Sequence, residues 1–129
     1  MVGGDQAAYE TALPVFEAMG KTVHRFGAAG TGQHTKMANQ IMIAGTMTGM
    51  TEMLVYAKAA GLELEAVLNT VNGGSAQNWS LANYGPRILA QDYTPGFFAK
   101  HFLKDLKIAL TESEKMELHI QATLQPKKL

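Results

Sequence analysis

Cysteine is absent from this sequence. Its absence excludes disulfide scaffolds and thiolate metal sites, and it is compatible with a reducing cytoplasm. The sequence also lacks an apolar run of the roughly 20 residues that are needed to cross a bilayer. Its N-terminus lacks the basic and then apolar layout of a signal peptide. We therefore expect a cytoplasmic protein that does not act in a membrane.

Charge of either sign is scarce. Charged residues make up 17% of the 129 residues, and 11 basic side chains balance 11 acidic ones. This balance provides no basic surface for a nucleic acid, so we expect no nucleic-acid partner. The apolar fraction of 47% is sufficient for one folded domain of ordinary size and is not typical of a disordered chain.

The N-terminal segment has the pattern of a small α/β unit. Val2-Gly3-Gly4 is expected to end a strand, Asp5 to cap a helix, and residues 21–26 to form a second short strand. Pro14 is expected to interrupt or restart the helix, because proline has no N–H to donate. A strand, a helix and a strand of this size do not make a stable sheet alone. We therefore interpret residues 1–27 as the end of a larger α/β domain.

Helical patterns follow the glycine-rich turn at residues 27–32. The absence of proline and of strand alternation predicts one long helix, and shorter apolar stripes predict several more. The predicted helices cover Gln33–Ala60, Leu62–Val71, Ser75–Tyr84 and Phe98–Met116, with a separate short turn that starts at Pro86. Since Glu52 is the only charged residue between positions 37 and 57, most of the circumference of the long helix should be covered by protein.

Three polar residues, Lys36, Asn39 and Gln40, lie where the apolar stripe of the long helix would continue toward its N-terminus. That stripe recurs at alternating spacings of four and three and consists of Ile43, Met47, Met50, Leu54 and Ala57. The position of the polar residues just after a glycine-rich turn indicates that they line the mouth of a cavity.

This arrangement suits proton transfer by Lys36. The positive end of the helix dipole and partial burial both disfavour a charged ammonium group, which helps it to exchange a proton with a carbonyl or an alcohol. Asn39 and Gln40 can hold a hydroxyl or a carboxylate by directed hydrogen bonds. On pattern alone, the simpler alternative is a solvated lysine in the first turn with two ordinary amides beside it.

The glycines at positions 27, 30 and 32 do not complete a phosphate-binding motif. A P-loop requires lysine where Gln33 stands, and the dinucleotide fingerprint requires glycine or alanine where Thr35 stands. Glycine in this turn is instead expected to permit a sharp reversal with close approach of two backbones.

Two motifs resemble those of the β-hydroxyacid dehydrogenases, which include 3-hydroxyisobutyrate dehydrogenase and 2-hydroxy-3-oxopropionate (tartronate semialdehyde) reductase. The run Gly27–Gln40 is similar to the family signature G-x-x-G-x-G-x-x-x-K-x-x-N-[NQ]. The run Lys104–Ala109 is similar to the family segment K-D-L-x-x-A. The resemblance extends from about Val2 to Ala122.

The resemblance implies a mainly α, multi-helical fold like the C-terminal domain of 6-phosphogluconate dehydrogenase, with a long central helix. Residues 1–27 would be the C-terminal remnant of an NAD(P)-binding Rossmann domain. Residues 28–129 would be the helical substrate, catalytic and oligomerisation domain, truncated at its C-terminus. The nucleotide-binding loop and the substrate-binding Ser-Gly-Gly segment of the family are not in this sequence, so the isolated chain is expected to be inactive.

The resemblance also assigns roles to individual residues. Lys36 aligns with the general acid/base, and Asn39 and Gln40 align with the substrate-binding amides. Lys104 aligns with a cofactor-binding lysine, with Asp105 beside it and Phe97 near the nicotinamide. The expected cofactor contacts are therefore Lys104, Asp105 and Phe97. The cofactor would be NAD or NADP, bound mainly by the Rossmann domain.

The resemblance further implies a small hydroxyacid or semialdehyde substrate, no metal, and a homodimer or larger homo-oligomer. Glutamine at position 40 favours the 2-hydroxy-3-oxopropionate reductases. In agreement with the absence of a metal, His24, His34, His101 and His119 show no spacing of metal ligands.

Two alternatives remain at this stage. One is oxidative decarboxylation of a phosphorylated sugar acid, as in 6-phosphogluconate dehydrogenase. That chemistry requires a cationic cluster, whereas Arg25 and Arg87 are the only arginines. The other is a non-catalytic helical oligomerisation or interaction module, against which the presence of Lys36 argues.

Overall fold

The protein is mainly helical. A computed structural model describes residues 1–121, in which no residue belongs to a regular strand. Five helices are named: α1 (Gln6–Met19), α2 (Thr31–Ala59), α3 (Leu64–Asn72), α4 (Trp79–Leu89) and α5 (Ala99–Lys115). None of these helices is both long enough and apolar enough to cross a membrane.

The two strands expected near the N-terminus are reduced to a single parallel bridge between Val2 and Arg25. The Val2 N–H donates to the His24 carbonyl at 3.0 Å, and the Phe26 N–H donates to the Val2 carbonyl at 2.8 Å. The prediction of two short strands was therefore wrong for the described residues, whereas the expectation that they would not make a sheet by themselves agrees with the single bridge. Two such short segments give too few paired residues for a ladder, because a stable sheet needs longer strands or more of them.

Helix α1 connects the two halves of this bridge. The Asp5 carboxylate accepts a hydrogen bond from the Ala8 N–H at 2.9 Å, as predicted. The prediction that Pro14 interrupts the helix was wrong, because α1 continues through it. Proline removes the donor for the carbonyl of Glu10, but Glu10 is exposed, so water can bind that carbonyl instead.

Helix α2 is the central helix, and α3, α4 and α5 all pack against it. Met50 and Leu54 of α2 form a buried cluster with Leu68 of α3 and Leu81 of α4. The apolar stripe predicted for α2 is thus buried in the core at these two positions. Between α3 and α4, a Cβ atom at Gly85 would lie 2.6 Å from Leu68 Cδ2, so glycine permits the close packing of these helices.

The opposite face of α2 is not covered within this chain. Met42, Val55 and Tyr56 are 67%, 65% and 74% exposed. Within this chain, protein therefore covers only part of the circumference of α2, and cover of the rest by a second copy stays a prediction. The long run with few charges packs on one side only, against α3, α4 and α5.

Helix α4 differs from the prediction at both ends. It begins at Trp79, because the Asn78 side chain accepts a hydrogen bond from the Leu81 N–H at 3.0 Å. Ser75 is therefore not the cap, and α4 continues through Pro86 to Leu89. The carbonyl that loses its donor at Pro86 belongs to Ala82, which is exposed to solvent.

The N-terminal segment crosses the beginning of α2 in direct backbone contact. A Cβ atom at Gly32 would lie 2.9 Å from the backbone nitrogen of Gly3, and one at Gly3 would lie 2.7 Å from the carbonyl oxygen of Ala28. Side chains at either position would force the two backbones apart. The close approach predicted from the glycine-rich turn is thus confirmed, and Lys36 follows it by about one helical turn.

Candidate functional site

A cleft of about 630 Å³ lies between α2, α4, α5 and the segment that precedes α5. Helix α2 contributes four side chains at successive turns of one face, Lys36, Gln40, Ile43 and Met47. Residues 92–97, which we call the cleft loop, also line it. Most of the lining side chains are apolar or aromatic, so the cleft presents a largely apolar surface to a bound ligand.

Three of the six predicted site residues line this cleft: Lys36, Gln40 and Phe97. They come from the beginning of α2 and from the cleft loop, which are far apart in the sequence. Lys36 is exposed to solvent, so the partial burial expected for it is not present in this chain by itself. Asn39, Lys104 and Asp105 are not among the lining residues.

These three residues are connected to the cleft by a chain of hydrogen bonds. Asn39 Nδ2 donates to Gln40 Oε1 at 2.9 Å, and Gln40 Nε2 donates to Asp105 Oδ2 at 2.9 Å. Lys104 Nζ forms an ion pair with Asp105 Oδ1 at 2.8 Å. The chain joins α2 to α5. It also gives protein partners to both polar atoms of Gln40 and to both oxygens of Asp105.

Burial strengthens these hydrogen bonds. Gln40 is 2% exposed and Asp105 is 5% exposed, so water does not compete for their hydrogen bonds. Burial by itself would raise the pKa of Asp105. Hydrogen bonds from Lys104 and Gln40, with the positive charges of Lys104 and Lys36, outweigh burial and place the pKa below its usual value. Asp105 is therefore a carboxylate at neutral pH and a counter-charge shared by both lysines.

A second ion pair holds the cleft loop. Arg87, in the last turn of α4, donates from Nε to Asp92 Oδ2 at 3.1 Å and from Nη2 to the Thr94 carbonyl. Asp92 Oδ1 also accepts from the Thr94 N–H at 3.0 Å. Hydrogen bonds from the Thr94 side chain and backbone, and then from Arg87, lower the pKa of Asp92 to about 2.

Sequence reasoning did not find this second pair. Arg87 was considered only as a member of an absent cationic cluster, and Asp92 was not singled out. The available signal was an arginine in the last turn of a predicted helix, followed five residues later by an acidic residue in a loop that contains Pro95 and Gly96. In residues 1–121, no group of three or more metal-ligating side chains comes together.

Comparisons with known proteins agree with the motifs. A family model described as NAD-binding of NADP-dependent 3-hydroxyisobutyrate dehydrogenase matches residues 30–129. A Bacillus subtilis protein named as the oxidoreductase YkwC is 50% identical over 116 residues, which are 90% of this chain and 40% of that protein. The Escherichia coli 2-hydroxy-3-oxopropionate reductase is 36% identical over 95% of this chain and 42% of its own length.

A solved structure extends the likeness to the fold. The Mycobacterium tuberculosis 3-hydroxyisobutyrate dehydrogenase, whose structure was solved with L-serine, superposes with a TM-score of 0.88 at 26% identity. The match covers 97% of this chain and 45% of that one. This chain therefore spans less than half the length of these three relatives.

The family description names the helical region as NAD-binding, which confirms the predicted nicotinamide cofactor at the level of the family. The assignment of this region as a C-terminal domain, with its division at residue 27, stays a prediction. Since the family model matches more than half of the chain, this protein belongs to the NAD-binding family of the 3-hydroxyisobutyrate dehydrogenases.

Proposed function

We propose that this chain is the helical catalytic and substrate-binding part of an NAD(P)-dependent β-hydroxyacid dehydrogenase. Residues 1–27 would end a Rossmann domain, and residues 28–129 would form the domain that resembles the C-terminal part of 6-phosphogluconate dehydrogenase. The reaction would interconvert a small 3-hydroxy acid and its semialdehyde. The observation that carries the proposal is the meeting of Lys36, Gln40 and Phe97 in one cleft.

The cleft fits a nicotinamide and a small acid. Its apolar and aromatic lining includes Phe97 and Phe102, which provide an apolar surface for a flat ring. A bound nicotinamide would supply or accept a hydride. The Lys36 ammonium would donate a proton to the carbonyl oxygen in the reductive direction, and the neutral amine would remove one from the alcohol in the other. Closure of the cleft by the nucleotide-binding part would bury this lysine.

The other predicted residues would assist in two ways. Asn39 and Gln40 would orient the substrate, and Lys104 would contact the cofactor together with Asp105 and Phe97. Because Gln40 and Asp105 are buried and bonded to each other, their contacts support an indirect contribution: they hold α2 against α5. Lys104 remains 62% exposed while paired, so it can reach an anionic group beside the cleft.

The substrate is proposed to be 3-hydroxyisobutyrate or 2-hydroxy-3-oxopropionate, and Gln40 favours the second. A phosphorylated sugar acid is less well supported. Arg87 lines the cleft, but Asp92 and Thr94 engage its guanidinium group. Arg25 donates to the Gly4 carbonyl at 2.9 Å, in the bridge near the N-terminus. Neither arginine is arranged for a phosphate.

We also propose that the protein is a cytoplasmic homodimer or larger homo-oligomer. Met42, Val55 and Tyr56 expose apolar surface on the outer face of α2. A second copy of the chain would bury that face.

The test of the enzymatic role is Lys36→Ala in the protein expressed from its complete gene. Turnover of 3-hydroxyisobutyrate or tartronate semialdehyde with NAD(P) should fall by roughly 10²- to 10⁴-fold, the range for loss of a general acid or base. The matched control is Lys58→Ala, an exposed lysine in the last turn of α2. Equal activity of the Lys36 variant and the wild type, with unchanged circular dichroism, would remove the catalytic assignment.

The isolated 129-residue chain should show no dehydrogenase activity with either cofactor. The family's nucleotide-binding loop is absent from this sequence, so the hydride donor would lack most of its binding site. Turnover by this purified chain would contradict the proposal that the nucleotide-binding part provides most of the cofactor site.

A further inference from the structure

We propose that Arg87 is a positioning residue that fixes the cleft loop as a wall of the cleft and thereby holds Phe97 in place. The inference rests on the proposed function, in which Phe97 faces the nicotinamide. It concerns Arg87 and Asp92, to which that function assigns no role.

Arg87 connects the end of α4 to two points of the cleft loop. Its Nε donates to the Asp92 carboxylate and its Nη2 donates to the Thr94 carbonyl. Its backbone carbonyl accepts from the Asp92 N–H at 2.9 Å. The guanidinium carbon also lies 5.8 Å from the centre of the Tyr84 ring, on the preceding turn of α4. The planar, forked donor group is thus fixed on the helix and directed at the loop.

The cleft loop depends on such a contact. Residues 91–98 are exposed and form neither helix nor strand. The chain leaves α4 through Gln91 at a φ of 55°, a left-handed conformation that disfavours residues other than glycine. Helix α5 then begins after Phe98 without a side-chain cap. The loop therefore has little regular structure to hold Phe97. The centre of the Phe97 ring lies 6.2 Å from that of the His101 ring on α5, and the Arg87 contacts constrain the loop on the side of α4.

Arg87 also lines the cleft, so direct binding of a substrate carboxylate is the competing explanation. The two explanations differ in what Asp92 does. If Arg87 acts through the loop, loss of the Asp92 charge should reproduce loss of Arg87. If Arg87 binds the substrate directly, Asp92→Asn would free its charge and improve the binding of the acid.

The first experiment measures amide hydrogen exchange in the protein expressed from its complete gene, for wild type, Arg87→Gln and Asp92→Asn. Peptides that cover residues 90–98 should exchange about fivefold faster in both variants, as expected for loss of an exposed ion pair, and peptides from α2 should be unchanged. The matched control is Arg25→Gln, the other arginine of the chain. Unchanged exchange in residues 90–98 would overturn the proposal.

The second experiment measures the Michaelis constants of the same variants. Both cleft-loop variants should raise KM for the nicotinamide cofactor by about fivefold while leaving KM for the hydroxyacid unchanged. Arg87→Lys should be intermediate, because lysine keeps the charge but loses the fork. A higher KM for the hydroxyacid alone, or faster exchange without any change in KM, would overturn the positioning role. If the wild type has no dehydrogenase activity, the proposed function fails, and the exchange experiment still decides whether Arg87 holds the loop.

Discussion

Two carboxylates lie in opposite environments: Asp92 lines the cleft, whereas Asp105 does not line it and is buried between α2 and α5. Asp105, on α5, pairs with Lys104 at 2.8 Å with 7% of its side chain exposed. Asp92, in the cleft loop, pairs with Arg87 at 3.1 Å with 45% of its side chain exposed. Both pKa values lie below the usual value for aspartate. An aspartate paired with a basic side chain therefore occurs twice, once with the carboxylate buried and once with it exposed.

The buried Asp105 carboxylate is expected to stabilise the fold, whereas the exposed Arg87–Asp92 pair is expected to fix the shape of the cleft loop. Removal of Asp105 would leave the Gln40 amide without an acceptor in a place that water does not reach, which has the full cost of an unsatisfied polar group. Removal of Asp92 would let water take over its partners at little cost. The three predictions below test this contrast.

The largest effect is expected from Asp105→Ala. The free energy of unfolding should fall by about 2–3 kcal/mol, because a buried hydrogen-bond donor and a small cavity are left behind. Urea denaturation followed by circular dichroism measures it. Asp105→Asn keeps an acceptor for Gln40 and should lose less. A change below about 0.5 kcal/mol for Asp105→Ala would mean that the buried Gln40–Asp105 hydrogen bond does not stabilise the contact between α2 and α5.

A smaller effect on stability is expected from Arg87→Gln. Its urea midpoint should stay close to that of the wild type, because water can solvate the exposed loop and its free carboxylate. If Arg87→Gln were less stable than Asp105→Ala, the expected order of the two effects would be reversed. The cleft loop would then belong to the core.

The smallest effect is expected from pH in the physiological range. The pKa of Asp92 is lowered from 3.8 to about 2, so its pairing stabilises the loop fully above 3.8 and is lost as pH falls through about 2. After correction for the intrinsic exchange rate, protection of the Thr94 amide should be constant from about pH 8 to about pH 5 and fall at lower pH. A protection factor that changes near neutral pH would implicate another group.

Patterns of spacing predicted more of this protein than single residues did. The apolar stripe of α2 located the core, and its polar continuation located Lys36 and Gln40 on the cleft. The helix breaks predicted at Pro14 and Pro86 were wrong. The effect of proline in a helix depends on whether the carbonyl four residues earlier can reach water. The Arg87 contact was missed because its only signal, an acidic residue five positions later, does not define the direction of the loop, which tertiary packing sets.

The contact between Gly3 and Gly32 has a mechanical consequence. With no side chain between them, the two main chains are in direct contact, and the helix that carries Lys36 begins at this contact. A rotation of the N-terminal segment would therefore move the first turns of α2, and Lys36 with them. Closely packed peptide groups cannot change rotamer to absorb such a movement, as flexible side chains can. A methyl group added at Gly32 would push the two main chains apart and change the orientation of α2, and with it the position of Lys36 relative to the cleft.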